Sequence, residues 1–496
     1  MSTVAHRRTA PDWLAHPVGY LGLGLTVAAV LALAARVGLS GAMTVGAALY
    51  ALPVVLLVLR YPIAVLYLLL GLCFCANGLS RYVDAPFGLM VDGLLALGWA
   101  VTLLRRFPRN WDTPGDPRRW PELTQDGFVL SALWFGFVVL ELANPDAQSR
   151  SAWAYAMRNV GLYQVLTVGL AYFHLRSAKQ LRRVLHIILG ISVLGALWGI
   201  RQKYFWLDAA EEHWLFAEEH ATQHILFGEL RTFSFYSDAG QFGASQAMAF
   251  LMAVVLLIRP PSWRHAVFYA AAFALCFVGF GISGTRGALA VPAAGGLVYL
   301  LVSRNTAILA AGVCVMIGSY GLLRYTSVGH GVKQVQRMRT ALDPNEPSLM
   351  VRLRNQELLG HQLAGKPLGA GIGSSGFWGR RFSPNTIFAQ TATDSYYVRL
   401  WVETGVVGLG LHLLMLGYFL GVGVHRVWHT PDPVLRHQRA AMLCAFAGML
   451  LASYGNQVFN QFPTALIMSL AVPVMCSAHW EPERAERAVA QAGERT

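Results

Sequence analysis

Hydrophobic positions in this chain come in long runs broken by short polar turns. A run of about 17 to 20 apolar residues is the length an α-helix needs to cross a bilayer. On that measure spans are predicted near residues 18–36, 42–59, 62–79, 86–104, 127–143, 159–175, 184–200, 241–258, 265–282, 287–302, 306–323, 397–424, 438–454 and 464–480, which makes 14. The architecture expected is an all-α, polytopic integral membrane protein with about 12–14 transmembrane helices.

One polar stretch is out of scale with these turns. Residues 324–396 separate the eleventh span from the twelfth, and inserts of that length in compact proteins are usually functional or disordered. Its aromatic residues and arginines, running straight into an apolar span, predict a large folded helical loop that caps a membrane-embedded site. Within it, residues 348–363 read as an amphipathic helix with a start signal at Ser348 and apolar positions Leu349, Leu353, Leu359 and Leu363. Residues 366–373, Lys-Pro-Leu-Gly-Ala-Gly-Ile-Gly, break that helix and read as a flexible hinge or turn. The chain thus divides into N-terminal spans (1–200), a core with an outer loop 201–240 and a tight turn at Arg286 (201–323), the large loop (324–396), C-terminal spans (397–480) and a polar tail (481–496).

Composition agrees with a membrane protein: 55% of residues are hydrophobic, 13% are charged, and the mean hydropathy is +0.45. The net charge of +13 comes without a basic run or a nucleic-acid motif, so membrane and phosphate are the expected counter-charges and nucleic acid is not an expected partner. Cys73, Cys75, Cys276, Cys314, Cys444 and Cys476 all sit in apolar runs and show neither metal-ligand nor disulfide spacing. Residues 1–17 carry Arg7 and Arg8 with no small-residue cleavage site ahead, and read as a cytoplasmic tail. Basic residues of the short loops then fall on one side: Arg105, Arg106, Arg109, Arg118 and Arg119; Arg176, Lys179, Arg182 and Arg183; Arg259 and Arg264; Arg426, Arg436 and Arg439. Taking that side as cytoplasmic places both termini inside and loops 201–240 and 324–396 outside.

With this topology Asp92, Glu141, Arg158, Arg231, Asp238, Arg286 and Asp394 gather at the outer ends of their spans, where ionisable groups are costly and usually functional. Arg286 lies in the turn Ser283-Gly284-Thr285-Arg286-Gly287-Ala288, whose glycines expose backbone N–H groups beside a guanidinium and so suit an anionic oxygen such as a phosphate. The alternative is an arginine snorkelling to the interface. Arg231 opens a segment with Tyr236, Asp238 and Phe242 ahead of the eighth span; the aromatics either stack on a sugar ring or anchor the bilayer edge. Asp394 begins the twelfth span as a helix N-cap, as a general base, or as both. Glu403, further along, is a fallback base or a buried partner of an arginine. No internal repeat, inverted symmetry or pair of broken helices points to a secondary transporter.

These residues carry a resemblance. The turn 283–288, the approach from Arg231 to Phe242, a loop with Arg352 followed by Pro367, Leu368, Gly369, Gly371 and Gly373, and the run Leu400 to Leu409 with Glu403, Gly405 and Gly408 resemble, in order, the O-antigen ligase and polymerase superfamily. The match covers about residues 231–412, and earlier spans agree only in character. The resemblance implies a polytopic glycosyltransferase of the bacterial inner membrane, with its active site facing the periplasm. Its implied partners are an undecaprenyl-diphosphate-linked oligosaccharide donor, a glycan acceptor and the bilayer, with other polysaccharide-assembly proteins as further candidates. It implies Arg231 and Arg286 gripping the lipid diphosphate and Asp394 acting on the acceptor, with Arg158, Arg352, Arg354, Tyr236, Tyr397 and Glu403 as substrate-binding candidates. Ligases carry His then Asn where this chain has Asp394 and Ser395, which turns the expectation towards a polymerase of a surface or secreted polysaccharide, with ligase as the alternative. No cofactor is expected, and with neither a DxD motif nor a His cluster in the sequence the transfer is expected to be metal-independent and inverting. The rivals of another class are a polysaccharide transporter or flippase and a non-catalytic scaffold.

Overall fold

Backbone N–H and C=O groups placed among lipid chains must be satisfied within the segment itself, and helices do this. The computed structural model describes residues 51–106, 120–218, 220–226, 228–327, 336, 339, 347–477 and 480. The predicted span 18–36, most of 42–59, the tails 1–17 and 481–496, and Arg109, Arg118 and Arg119 lie outside the described residues. The chain forms two compact units, Met1–Ala64 and Val65–Thr496. In the first, residues Ala51–Arg60 are a short apolar helix.

The larger unit is almost wholly helical. Its main helices are α1 (Ala64–Leu79), α2 (Phe87–Arg106), α3 (Asp126–Leu140), α4 (Arg150–Met157), α5 (Tyr163–His174), α6 (Ala178–Tyr204), α7 (Ala239–Leu257), α8 (Trp263–Ser283), α9 (Ala290–Val302), α10 (Thr306–Tyr325), α11 (Pro347–Leu363), α12 (Gly376–Phe382), α13 (Tyr396–His429), α14 (Pro433–Gly455) and α15 (Thr464–Cys476). Six elements are long and apolar enough to cross a membrane: α2, α3 with its following turn to Ala143, α6, α7, α8 and α13. An all-α membrane protein is therefore what the chain folds into. One two-residue strand pair, with Ile225 opposite Leu230, is a small exception among the described residues.

Helix α7 is the hub. Of its central 18-residue window 89% is buried, and it packs on α6, α8, α9 and α14. Close approach depends on small residues, as is usual between helices in lipid: a Cβ on Gly295 of α9 would stand 2.4 Å from Cys444 O, and one on Gly448 of α14 would stand 2.5 Å from Val291 O. Asp238 starts α7, its carboxylate accepting from Gln241 N at 2.9 Å.

Helix polarity sorts the charged residues. The C-terminal ends of α1, α3, α6, α8 and α14 and the N-terminal ends of α2, α5, α7, α9, α13 and α15 share one end of the bundle, which gathers Asp92, Glu141, Arg158, Arg231, Asp238, Arg286 and Asp394. The short-loop cations, such as Arg106 and Arg176 on Glu122, occupy the other end. The described part of the long loop holds the helices Pro347–Leu363, Gly376–Phe382 and Ile387–Gln390 joined by turns: α11 matches the predicted 348–363, and its Leu359 and Leu363 are buried with Ala370, Phe388 and Val402. Leu353 is 44% exposed, so the amphipathic face narrows to the second half of that helix.

Two helices depart from continuous spans. α13 contains Gly405 at φ 64°, ψ −169°, which divides it into a short piece ahead of the break and a long one after it. Between α4 and α5, residues Arg158–Leu162 form a π-turn, a distortion that often marks functional sites.

Candidate functional site

The site end is built first by the turn after α8. Gly284 closes that helix in the left-handed conformation (φ 57°), as C-terminal glycines do. Thr285 then donates to Ala239 O at 2.7 Å, tying the turn to the first residue of α7. The same hydroxyl accepts from Arg231 Nη2 at 3.3 Å, while Arg231 Nη1 donates to Gln223 O at 3.1 Å. Arg231 is thereby fixed against the residue next to Arg286, so the segment that carries one expected arginine meets the turn that carries the other.

The third arginine comes from the long loop. A Cβ on Gly455, at the end of α14, would stand 3.8 Å from Gly287 Cα and 3.9 Å from Arg352 Nη1, so α11 reaches over the Arg286 turn and meets it at a glycine. Arg352 Nε pairs with Asp394 Oδ2 at 3.3 Å, with both side chains part-exposed. An ion pair so exposed contributes only about 0–1 kcal/mol to stability; its main effect is to orient the carboxylate.

Asp394 itself is held from both sides. Gln457 Nε2 donates to Thr393 O, and Ser395 Oγ donates to Ser453 O at 3.4 Å. The N-cap position of α13 belongs to Ser395, so Asp394 does not cap the helix; its carboxylate points to Arg352 instead. That corrects one of its two expected roles and leaves the chemical one.

Of the two forms expected of the glycine motif, a flexible hinge or a turn, the structure shows turns. Gly369, Gly371 and Gly373 have φ of 73°, 90° and 82°, and Ala370 and Ile372 between them are buried. Ala370 N donates to Val402 O at 2.8 Å and Val407 N donates to Pro367 O at 3.2 Å, so the loop closes over the break in α13. A Cβ on Gly405 would stand 2.0 Å from Pro367 O, and one on Gly369 would stand 2.5 Å from Gly405 N. The other side of the loop rests on the segment after α3: a Cβ on Gly371 would lie 2.6 Å from Ala147 Cα, and Asn144 Nδ2 bridges Leu368 O (2.9 Å) and the buried Glu141 (2.8 Å). Two motifs read separately in the sequence are thus one packed joint.

Several expected substrate contacts prove structural. Tyr236 is fully buried, packed on Phe74 and Phe235 and bonded to Gln246, and Phe242 is as deep, so neither offers a face to a sugar. Glu403 is 1% exposed and accepts from Ser375 Oγ at 2.7 Å and Arg399 Nε at 3.0 Å, the charge-paired alternative foreseen for it. Tyr397 donates to Leu450 O at 2.7 Å and pins α13 to α14. Arg158 pairs with Asp92 at 2.8 Å, and Tyr163 donates to the same carboxylate at 2.7 Å. Arg354 is exposed on α11. The structure therefore gathers Arg231, the Arg286 turn, Arg352 and Asp394, and gives Tyr236, Tyr397 and Glu403 to the frame. Guanidinium groups beside a glycine turn suit a polyanion, and a part-exposed carboxylate at their edge can accept a proton.

Sequence reasoning overlooked the residues that hold this frame. Gln457 links Thr393 to Arg399, whose Nη1 donates to Gln457 Oε1 at 3.2 Å; the pair Asn456-Gln457 between two apolar spans was the available signal. Arg81 was the other. It donates to Ser234 O at 2.6 Å and to Tyr236 O, and lies over Trp214 and Phe233 at 4.2 and 4.6 Å. Burial draws its pKa down to about 10, with Glu211 opposing, so it stays charged at neutral pH. Arg81 clamps the segment that delivers Arg231. Arg81→Met is expected to speed hydrogen exchange in residues 233–237 by about ten- to a hundredfold, the range implied by losing charged hydrogen bonds of roughly 1.5–3 kcal/mol; unchanged exchange there would show that the clamp is redundant.

Among the described residues no group of three or more His, Cys, Asp or Glu stands together. A scan against protein-family models finds no match to the chain, and a search of curated proteins finds none either.

Proposed function

We propose that the protein is a glycosyltransferase of the bacterial inner membrane that polymerises undecaprenyl-diphosphate-linked repeat units into a surface or secreted polysaccharide, from a site on the periplasmic side of 12–14 crossings. The observation that carries this is the convergence of Arg231, the Arg286 turn, Arg352 and Asp394, drawn from separate parts of the chain, at one end of a bundle of apolar helices. In the proposed step Asp394 takes the proton from an acceptor hydroxyl, whose oxygen attacks the anomeric carbon. The C–O bond to the diphosphate breaks, the lipid diphosphate leaves with the bonding pair, and the anomeric configuration inverts. Arg231 and Arg286 stabilise the leaving charge, which grows most in the transition state. Arg352 aims the carboxylate, a role added to the substrate contact expected of it.

Arg286→Lys tests the anion grip. A guanidinium meets phosphate oxygens bidentately and an ammonium does not. Elongation of lipid-linked repeat units by the purified variant is expected to fall about a hundredfold, about 2.7 kcal/mol of transition-state stabilisation at 1.36 kcal/mol per tenfold. An active Lys variant would remove Arg286 from the diphosphate site.

A further inference from the structure

We propose that Asp238 and Asn456 are the hydrogen-bonding pair that reads one hydroxyl of the donor's first sugar, the unit whose anomeric carbon bears the diphosphate; this rests on the glycosyltransferase assignment above. That sugar has a defined place in the proposed step, because its anomeric carbon parts from the group gripped by Arg231 and Arg286 and meets the hydroxyl deprotonated by Asp394. Residues 455–457 run between those two poles. A Cβ on Gly455 would stand 3.8 Å from Gly287 Cα, next to Arg286, and Gln457 Nε2 donates to Thr393 O, next to Asp394. Asn456 lies between the two contacts, and both it and Asp238 are part-exposed.

The partner comes from the start of α7. Asp238 precedes Ala239, whose carbonyl accepts from Thr285 Oγ1 at 2.7 Å, and that hydroxyl accepts in turn from Arg231. A Cβ on Gly240 would stand 2.1 Å from Asn456 Nδ2 and 2.8 Å from Asp238 Oδ1, so the two polar atoms flank one point that glycine leaves free of a side chain. Atoms so placed are close enough for one oxygen to bond both at the usual length of about 2.7–3.0 Å.

Their bonding capacities are complementary. Asn456 Oδ1 accepts from Gln457 N at 2.8 Å, which fixes the way the amide faces, and Nδ2 makes no hydrogen bond among the described residues. Asp238 takes Gln241 N on Oδ1 and Ser237 Oγ on Oδ2, both at 2.9 Å, one bond per oxygen where a carboxylate offers about four acceptor sites. A sugar hydroxyl donates and accepts at once, so its proton suits the carboxylate and its oxygen the amide N–H. Ionised diphosphate oxygens only accept, and the Asp238 charge repels them. The pair therefore selects a hydroxyl, while the anion is left to the arginines.

The test uses the full-length protein in lipid nanodiscs. The probes are the host's lipid-linked repeat unit and synthetic analogues that each lack one hydroxyl of the sugar bearing the diphosphate, with elongation measured as kcat/KM and binding followed by native mass spectrometry. The wild type is expected to use one of these analogues about ten- to a hundredfold less efficiently than the parent, the range for a lost hydrogen bond to a charged group. Asn456→Ala and Asp238→Asn are each expected to lose a similar factor on the parent and to treat that analogue and the parent within about twofold of each other. Gly240→Ala is expected to do the same, since its methyl displaces the amide; the three nearest atoms it meets all belong to side chains. Asn still caps a helix, so Asp238→Asn stays informative if Asn456→Ala does not fold. Equal use of every analogue by the wild type, or full discrimination retained in folded Asp238→Asn, would overturn the pair and leave the enzyme assignment intact. Discrimination in binding that the variants lose, without elongation by any of the proteins, would support the pair and sink the glycosyltransferase.

Discussion

Asp394→Asn is expected to lower the elongation rate of the purified protein by about 10²–10⁴-fold, the range for removing a general base, with its thermal transition almost unmoved. Both halves follow from the geometry. The N-cap of α13 is Ser395, so the amide has no cap to preserve, and the pair lost with Arg352 Nε is a part-exposed one at 3.3 Å, worth about 0–1 kcal/mol. The position stays fixed because its neighbours, Thr393 and Ser395, are bonded to Gln457 and Ser453 and not to the carboxylate. Asn can still accept from Arg352, so the orientation is kept while the ability to take a proton is lost. The comparison variant is Glu403→Gln. Glu403 is buried, with Ser375 and Arg399 on one oxygen, so its neutralisation strikes the frame and is expected to lower the melting temperature together with activity. A rate unaffected in Asp394→Asn, or a stability lost along with it, would take the base role from this residue.

The second large effect concerns the fold. Gly405→Ala is expected to destabilise the protein by about 2–6 kcal/mol, adding roughly 1–3 kcal/mol for a non-glycine residue in a backbone region that essentially only glycine adopts to roughly 1–3 kcal/mol for overpacking. The Cβ would stand 2.0 Å from Pro367 O and 2.4 Å from Pro367 C, backbone atoms that cannot swing aside as a side chain can. Relief requires the 366–371 loop to leave the break in α13, which carries Asn144 and Lys366–Asp146 with it. The readout is limited proteolysis in detergent: cleavage within 364–375 is expected to appear in Gly405→Ala at temperatures where the wild type resists. Gly410→Ala, further along the same helix with nothing within 4 Å of its Cβ, serves as the silent control. Equal resistance of all three proteins would mean that the joint between the two glycine motifs does not hold the loop.

The fold was largely legible because apolar length is a local property. Runs near 86–104, 127–143, 184–200, 241–258, 265–282 and 397–424 each return as a helix long and apolar enough to cross a membrane. The break at Gly405 was not legible, since the hydropathy of Tyr396–His429 is continuous across it; only contact with Pro367 and Gly369 explains why glycine stands there. For the site, the sequence located the ends of spans at which Arg231, Arg286 and Asp394 lie, because polar residues at the ends of apolar runs are conspicuous, and it set Arg352 on a helix of the long loop. It did not separate substrate-facing groups from framing ones. Tyr236, Glu403 and Tyr397 have the same chemistry as true ligands, and only their burial and their partners, Gln246, Ser375 and Leu450 O, distinguish them. Arg81 escaped notice although it sits in a short turn like that of Arg286, because its role depends on carbonyls more than 150 residues away.

Whether the cluster joins sugars is read from the wild-type protein alone. Purified and reconstituted in liposomes, it is given lipid-linked repeat units and no other acceptor, and the products are resolved by size. A ladder of longer lipid-linked chains with release of lipid diphosphate is the expected result. Transfer only after a separate acceptor is added would move the assignment to ligase. Movement of the repeat units across the bilayer with no bond formed would contradict it and make the protein a transporter.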